Sequence, residues 1–196
     1  MNLSNNKIIN YASLFSMTLI TIFSIINQET TVFYLLFLFW CDEFIRTLFD
    51  GFGYFFRKDT IKNLSNYLSN VKSRFFFLFV YLVFIVFVFG LIIDWKNGDL
   101  VIDNLSVLFF KNSLFNYTVL TFLVREIFLF FNNKNPLEAK SIVSKGIIIL
   151  HISLVLGIFF WFISSQKLDF FKEYATLISI VPFLILKLYF EVKTQN

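Results

Sequence analysis

The run FFFLFVYLVFIVFVFGLII at residues 75–93 restricts the fold of this chain more than any other feature. It contains no charged residue, and its apolar residues follow no amphipathic period. A helix that is apolar on every side needs lipid or a fully buried position. The chain has only 196 residues, and a soluble domain of that size still exposes roughly 30% of its chain surface. Several such helices therefore require lipid as their solvent.

The composition is that of a membrane protein. Hydrophobic residues make up 58% of the chain and charged residues 15%, whereas soluble domains carry about 25% charged residues. The single cysteine, Cys41, lies inside an apolar run and cannot form an intramolecular disulfide. We interpret it as a small buried hydrophobic residue.

Six segments are long enough to cross a hydrocarbon core, which takes about 20 helical residues. They lie near 8–27, 31–52, 75–94, 107–131, 142–164 and 173–192. The first is predicted to be a retained span, because it has no A-x-A cleavage site. Residues 60–73 space their apolar side chains by three and four between basic ends, which predicts a short helix on the membrane surface. The sequence therefore predicts an all-α polytopic membrane protein over 1–196, a bundle of about six transmembrane helices.

Basic residues predict the orientation of this bundle, because loops rich in lysine and arginine stay in the cytoplasm. One side collects Lys7, Arg57, Lys58, Lys62, Lys72, Arg74, Lys134, Lys140 and Lys193. Both termini are then cytoplasmic, and a bacterial inner membrane is the expected location. Each basic residue at this face adds about 1 kcal/mol of attraction to anionic lipids, so nucleic acid is not needed as a partner.

Charged residues also lie inside the spans, where each is costly. The stretch FYLLFLFWCDEFIRTLF at 33–49 places acidic and basic residues within an apolar run, and three later spans carry ionisable residues in the same cytoplasmic half. Such residues face a bundle interior or a watery cavity, where they find partners. The predicted polar cluster consists of Asp42, Glu43, Arg46, Arg125, Glu126 and His151.

The partners within this cluster are only partly predictable. Arg125 is expected to pair with Asp42 or Glu43, and not with its neighbour Glu126, because adjacent helical side chains point about 100° apart. Snorkelling to the interface is the alternative for Arg125 and Glu126. It is the preferred interpretation for Lys145, Lys187 and Glu191. His151 is either a hydrogen-bonded buried group or a proton carrier or ligand.

The common catalytic motifs are missing from the sequence. It contains no G-x-S of a rhomboid-type protease, no H-E-x-x-H, no Gly-rich phosphate loop and no C-x-x-C. A zinc site would need three or four ligands, which only a convergence of distant residues could supply. An enzyme is therefore the less favoured class, and no catalytic residue, metal or cofactor is predicted.

Three functions stay open. The leading hypothesis is binding or transport of a proton, an ion or a small polar ligand at the polar cluster. The second is a structural or accessory subunit, whose Phe-rich faces meet a protein partner or a second copy. The third is a metal-dependent membrane hydrolase that uses His151 with Asp42 and Glu43.

Three short patches resemble an uncharacterised family. FYLLFLFWCDEFIRTLF is similar to a second-span pattern of aromatic-Trp-x-Glu-Asn, with Trp40 matching, Asp42 in place of the Glu and Glu43 in place of the Asn. KGIIILHISLVLGIFF at 145–160 is similar to a basic residue followed by an apolar run, Leu-His and a later Gly. The matching residues there are Lys145, His151 and Gly157. LILKLYFEV at 184–192 is similar to a closing Leu-Lys segment.

The family that these patches resemble is the domain of unknown function 6498 family of prokaryotic integral membrane proteins. The resemblance implies a multi-pass bacterial membrane protein. It implies no activity.

Overall fold

The computed structural model describes residues 3–27, 29–93, 95–132, 137, 141–165 and 175–193. Among these residues there is no β-strand, so the predicted all-α class is confirmed. The helices are α1 (Leu3–Ile26), α2 (Val32–Phe56), α3 (Leu64–Phe84), α4 (Gly98–Leu108), α5 (Ser113–Asn132), α6 (Lys145–Ser165) and α7 (Ala175–Lys193).

Three helical segments are long and apolar enough to cross a membrane. They are Asn6–Ile26, Leu64–Ile92 and Gly98–Asn132. A shorter apolar stretch covers Lys145–Phe159 in α6. These lengths agree with the predicted class of membrane protein.

α3 differs from the prediction in its extent. The structure joins the predicted surface helix at 60–73 to the predicted span at 75–94, since α3 runs from Leu64 to Phe84 and continues as a π-helical segment to Ile92. The physical reason is a buried stripe along its first turns. Tyr67, Val71 and Leu78 lie on one face and are buried, and α3 packs against α2. This face meets protein instead of lying flat on lipid headgroups.

The segment Gly98–Asn132 is interrupted, and this interruption divides the predicted span at 107–131. α4 ends at Leu108 and α5 begins at Ser113. Between them Phe110 has a left-handed backbone with a φ of 56°. The start of the predicted span at 173–192 lies outside the described residues.

α2 is the central helix of the described fold. It contacts α3, α4, α5, α6 and α7, and its residues are buried without a break from Phe33 to Glu43. This enclosure explains why its first half is apolar on every side.

Aromatic rings stack along one side of α2. The centroids of Phe33 and Phe37 are 5.6 Å apart, those of Phe37 and Trp40 are 5.7 Å apart, and those of Trp40 and Phe44 are 4.9 Å apart. Trp40 donates its Nε1–H to the carbonyl oxygen of Leu78 in α3 at 2.7 Å. The aromatic side of α2 is thus fixed against α3, and the charged residues of α2 lie elsewhere on its surface.

Candidate functional site

Asp42 is the centre of a buried ion-pair network. Its carboxylate is 1% exposed and accepts hydrogen bonds from cations on three helices. Arg46 Nε lies 3.1 Å from Oδ1, and Arg125 Nη2 of α5 lies 2.5 Å from the same oxygen. Lys187 Nζ of α7 donates to Oδ2. One carboxylate therefore joins α2, α5 and α7 at a single level of the bundle.

Two further carboxylates extend this arrangement. Glu191 Oε1 lies 2.7 Å from Arg46 Nη2 and 3.1 Å from Lys187 Nζ. Glu126 Oε1 lies 2.9 Å from Arg125 Nε. We call the set the Asp42 network; its members are Asp42, Arg46, Arg125, Glu126, Lys187 and Glu191.

A second network surrounds Arg74, which is 2% exposed. Its Nη2 lies 2.7 Å from Glu43 Oε1, and its Nη1 lies 2.5 Å from Asp50 Oδ2. Ser144 donates its hydroxyl to Glu43 Oε1. This Arg74 network, made of Glu43, Asp50, Arg74 and Ser144, joins α2 and α3 to the beginning of α6.

Glu43 fits against α6 because position 146 is a glycine. A Cβ at Gly146 would lie 1.9 Å from Glu43 Oε2. Ser144 accepts the backbone N–H of Ile147 at 3.2 Å and so caps the first turn of the helix. A carboxylate at a helix N-terminus is favoured by the helix dipole. Gly146 therefore leaves room for the Glu43 carboxylate at the beginning of α6, and any side chain at position 146 would occupy that space.

Gly146→Ala is expected to destabilise the protein by about 1–3 kcal/mol, the usual cost of overpacking a tight contact. The added methyl group pushes Glu43 away from Arg74 and Ser144. Thermal unfolding in mild detergent, followed by circular dichroism, measures the effect. Gly98→Ala is the matched control, because a Cβ there has no neighbour within 4 Å. Equal unfolding midpoints for the two variants would contradict the prediction.

The structure brings five of the six predicted cluster residues into these two networks. Asp42, Arg46, Arg125 and Glu126 lie in the first and Glu43 in the second. The expected pair between Arg125 and Asp42 is present. The expectation that Arg125 and Glu126 could not pair was wrong, because the long guanidinium side chain bends back to its neighbour.

Snorkelling does not describe the lysine and glutamate of α7. Lys187 and Glu191 are buried and bind Asp42 and Arg46. They are four residues apart, so both heads lie on the helix face that meets α2. Lys145, in contrast, is exposed and belongs to neither network.

His151 does not join the charged residues. It is exposed, and its Nδ1 lies 3.3 Å from the hydroxyl of Tyr81 in α3. Within the described part of the chain, no three His, Cys, Asp or Glu side chains form a group that could hold a metal ion. The convergence of His151 with Asp42 and Glu43 that the hydrolase hypothesis requires is not found.

Sequence reasoning missed Arg74, Asp50 and Ser144 as members of the site. Arg74 was assigned to a cytoplasmic loop, yet it lies on the buried stripe of α3, three residues after Val71 and four before Leu78. Asp50 follows Glu43 by two helical turns on the same face of α2. These spacings were available signals.

The edge of the networks is partly exposed, whereas their centre is buried. The Arg46 side chain is 25% exposed, whereas that of its partner Asp42 is almost completely buried. Glu126 and Glu191 are also slightly exposed. The site is therefore a buried carboxylate whose outermost cation is accessible.

No family model, curated protein or solved structure matches this chain.

Proposed function

We propose that this chain is a six-span protein of a bacterial inner membrane, with both termini in the cytoplasm, whose Asp42 network binds or transports a proton, an ion or a small polar ligand. The assignment of α2 as one of these spans is supported by the internal pairing of its charged residues. Charged side chains inside a membrane are tolerated when they face the bundle interior and pair with one another.

The orientation is supported by the position of the networks along the helices. Arg46, Arg125 and Glu191 lie toward the C-terminal ends of α2, α5 and α7, and Ser144 lies at the beginning of α6. The exposed basic residues Lys58, Lys62 and Lys72 follow α2 at the same end. Basic segments remain cytoplasmic, which supports a cytoplasmic position of the networks and anionic lipids as partners.

The observation that carries the functional proposal is the contact of one buried carboxylate with cations from three helices. Arg46 has the most exposed side chain of the ion pairs in this network, so we infer that a proton or ligand arrives there and exchanges with an internal partner. Protonation of Asp42 removes the charge that attracts Arg125 and Lys187. An anion bound at Arg46 competes with Asp42 and Glu191. Either event loosens α5 and α7 from α2.

Vesicles that contain the purified protein test this proposal. An imposed pH gradient, followed with a pH-sensitive dye, tests protons; Na⁺, K⁺ and acetate gradients test small ions. We expect flux of at least one probe in the wild-type protein and loss of that flux in Asp42→Asn. Asp103→Asn, an exposed site on α4, is expected to retain it. Unaltered flux in both Asp42→Asn and Glu43→Gln would reject the proposal, as would the absence of flux and of binding for every probe.

A second candidate function is a structural or accessory subunit. It is favoured because every charged member of the two networks is paired with another residue of the chain. In a structural subunit, such buried ion pairs would fix the register of the helices. In this case the exposed aromatic side chains of α1 and α3, such as Phe15, Phe76 and Phe79, meet a protein partner or a second copy. Recovery of one stoichiometric partner, or of a stable dimer, in mild detergent distinguishes this candidate.

A further inference from the structure

An apolar cavity of about 400 Å³ lies beside the aromatic stack of α2. Its walls come from α2, α3, the α4–α5 junction and α5, and they include Trp40, Cys41, Phe44, Leu82, Leu108 and Val119. The cavity is distinct from the Asp42 network, none of whose members lines it. Its volume is within the range of about 300–1,000 Å³ that is common for ligand pockets.

The walls offer no strong hydrogen bond to a ligand. The indole N–H of Trp40 already binds the carbonyl oxygen of Leu78 at 2.7 Å. The Cys41 thiol is a weak donor, and the other wall residues named above carry hydrocarbon side chains. An occupant of this cavity must therefore be held by dispersion and by apolar contact.

A strained residue stands at the edge of the cavity. Phe110 lines it and has a φ of 56°, a conformation that costs an L-residue other than glycine about 1–2 kcal/mol. Its ring centroid lies 6.1 Å from that of Phe37 and 5.8 Å from that of Phe115. Asn116 donates its side-chain N–H to the Phe110 carbonyl oxygen at 2.6 Å. The half-exposed ring is thus held beside the cavity by specific contacts, and such strained residues are concentrated at ligand sites.

We propose that this cavity binds the hydrocarbon chain of a bilayer lipid, with Phe110 at its entrance. Leu82 and Val119 of its walls belong to two segments that are long and apolar enough to cross a membrane, where lipid chains are the apolar solvent. A chain in the cavity supplies the contacts that the wall side chains otherwise lack. The inference depends on a membrane location and not on the function of the Asp42 network.

Trp40 serves as the reporter in the test. Trp95→Phe and Trp161→Phe leave it as the only tryptophan, since the chain has three. The protein is placed in vesicles of phosphatidylcholine brominated in the middle of its chains, because bromine quenches indole fluorescence at short range. We expect strong quenching of Trp40. Val119→Phe, which fills the cavity, is expected to lose most of it. Val124→Phe, an exposed site on the same helix, is expected to keep it.

Three outcomes would overturn the proposal. Equal quenching in Val119→Phe and Val124→Phe would show that bulk lipid, not a bound chain, reaches Trp40. Absence of quenching in the parent protein would show that no chain enters. Absence of quenching together with a cross-linked dimer would assign the cavity to a second copy. If Val119→Phe does not retain its helical circular dichroism, Leu82→Phe fills the cavity from the opposite wall and decides the result.

Discussion

Asp42→Ala is expected to lower the free energy of unfolding by about 3–5 kcal/mol, the cost of breaking a buried ion pair by removing one partner. Arg46, Arg125 and Lys187 all bind the Asp42 carboxylate, so the variant leaves three cations with less compensation in a buried site. The measurement is unfolding in mixed micelles by titration with a denaturing detergent, followed by circular dichroism.

The control for this prediction is Asp103→Ala, at an exposed position on α4, which is expected to change stability by no more than about 0.5 kcal/mol. Adding Lys187→Met to Asp42→Ala should recover part of the loss, because it removes one of the uncompensated cations. A loss below about 1 kcal/mol in Asp42→Ala would mean that the cations reach water or lipid headgroups. The buried network would then not be the arrangement in the membrane.

The sequence predicted the all-α class of the protein and the convergence of charged residues from separate helices, for a local reason. Hydrophobic length and the cost of a charge in lipid depend on the residues of one segment alone. Asp42, Arg46 and Arg125 could therefore be assigned to one layer from their distances to the helix ends. The structure brings their side chains into contact.

The choice of partners could not be predicted in the same way, because it depends on helix rotation and on side-chain reach. Arg125 bends back to Glu126 at 2.9 Å, and Lys187 extends across to α2 instead of toward the interface. His151 is near enough in depth to be included, but it lies on a face of α6 that meets Tyr81. No local pattern distinguishes these outcomes.

The break between α4 and α5 had one sequence signal, Asn112, which accepts the backbone N–H of Phe115 at 2.8 Å and caps the beginning of α5. Neither glycine nor proline occurs in residues 109–112, and the left-handed residue is Phe110. The conformation is fixed by the Asn116 side chain and by two aromatic rings. Tertiary contacts therefore override the local preference of the backbone.

Arg74→Leu is expected to lower the free energy of unfolding by about 3–5 kcal/mol. In contrast to Asp42→Ala, which leaves buried cations uncompensated, this change leaves a buried carboxylate uncompensated. It removes the only cation that the described ion pairs give to Glu43, and it also removes one partner of Asp50. Glu43 cannot turn away easily, because it is packed against Gly146 and bound by Ser144. The same detergent titration measures the loss. Lys72→Leu, an exposed site two residues earlier on α3, is the matched control and should be nearly neutral.

A double-mutant cycle determines whether this cost belongs to the pair. Glu43→Gln alone should destabilise the protein, but Glu43→Gln combined with Arg74→Leu should cost less than the sum of the two changes, by about 0.5–3 kcal/mol. Simple additivity would contradict a direct Glu43–Arg74 pair and leave α2 and α3 joined by the Arg74–Asp50 pair, the Trp40–Leu78 hydrogen bond and apolar contacts. A coupling of this size, with unaltered ion flux in Glu43→Gln, would assign the Arg74 network to helix register and restrict the proposed binding site to Asp42 and its three cations.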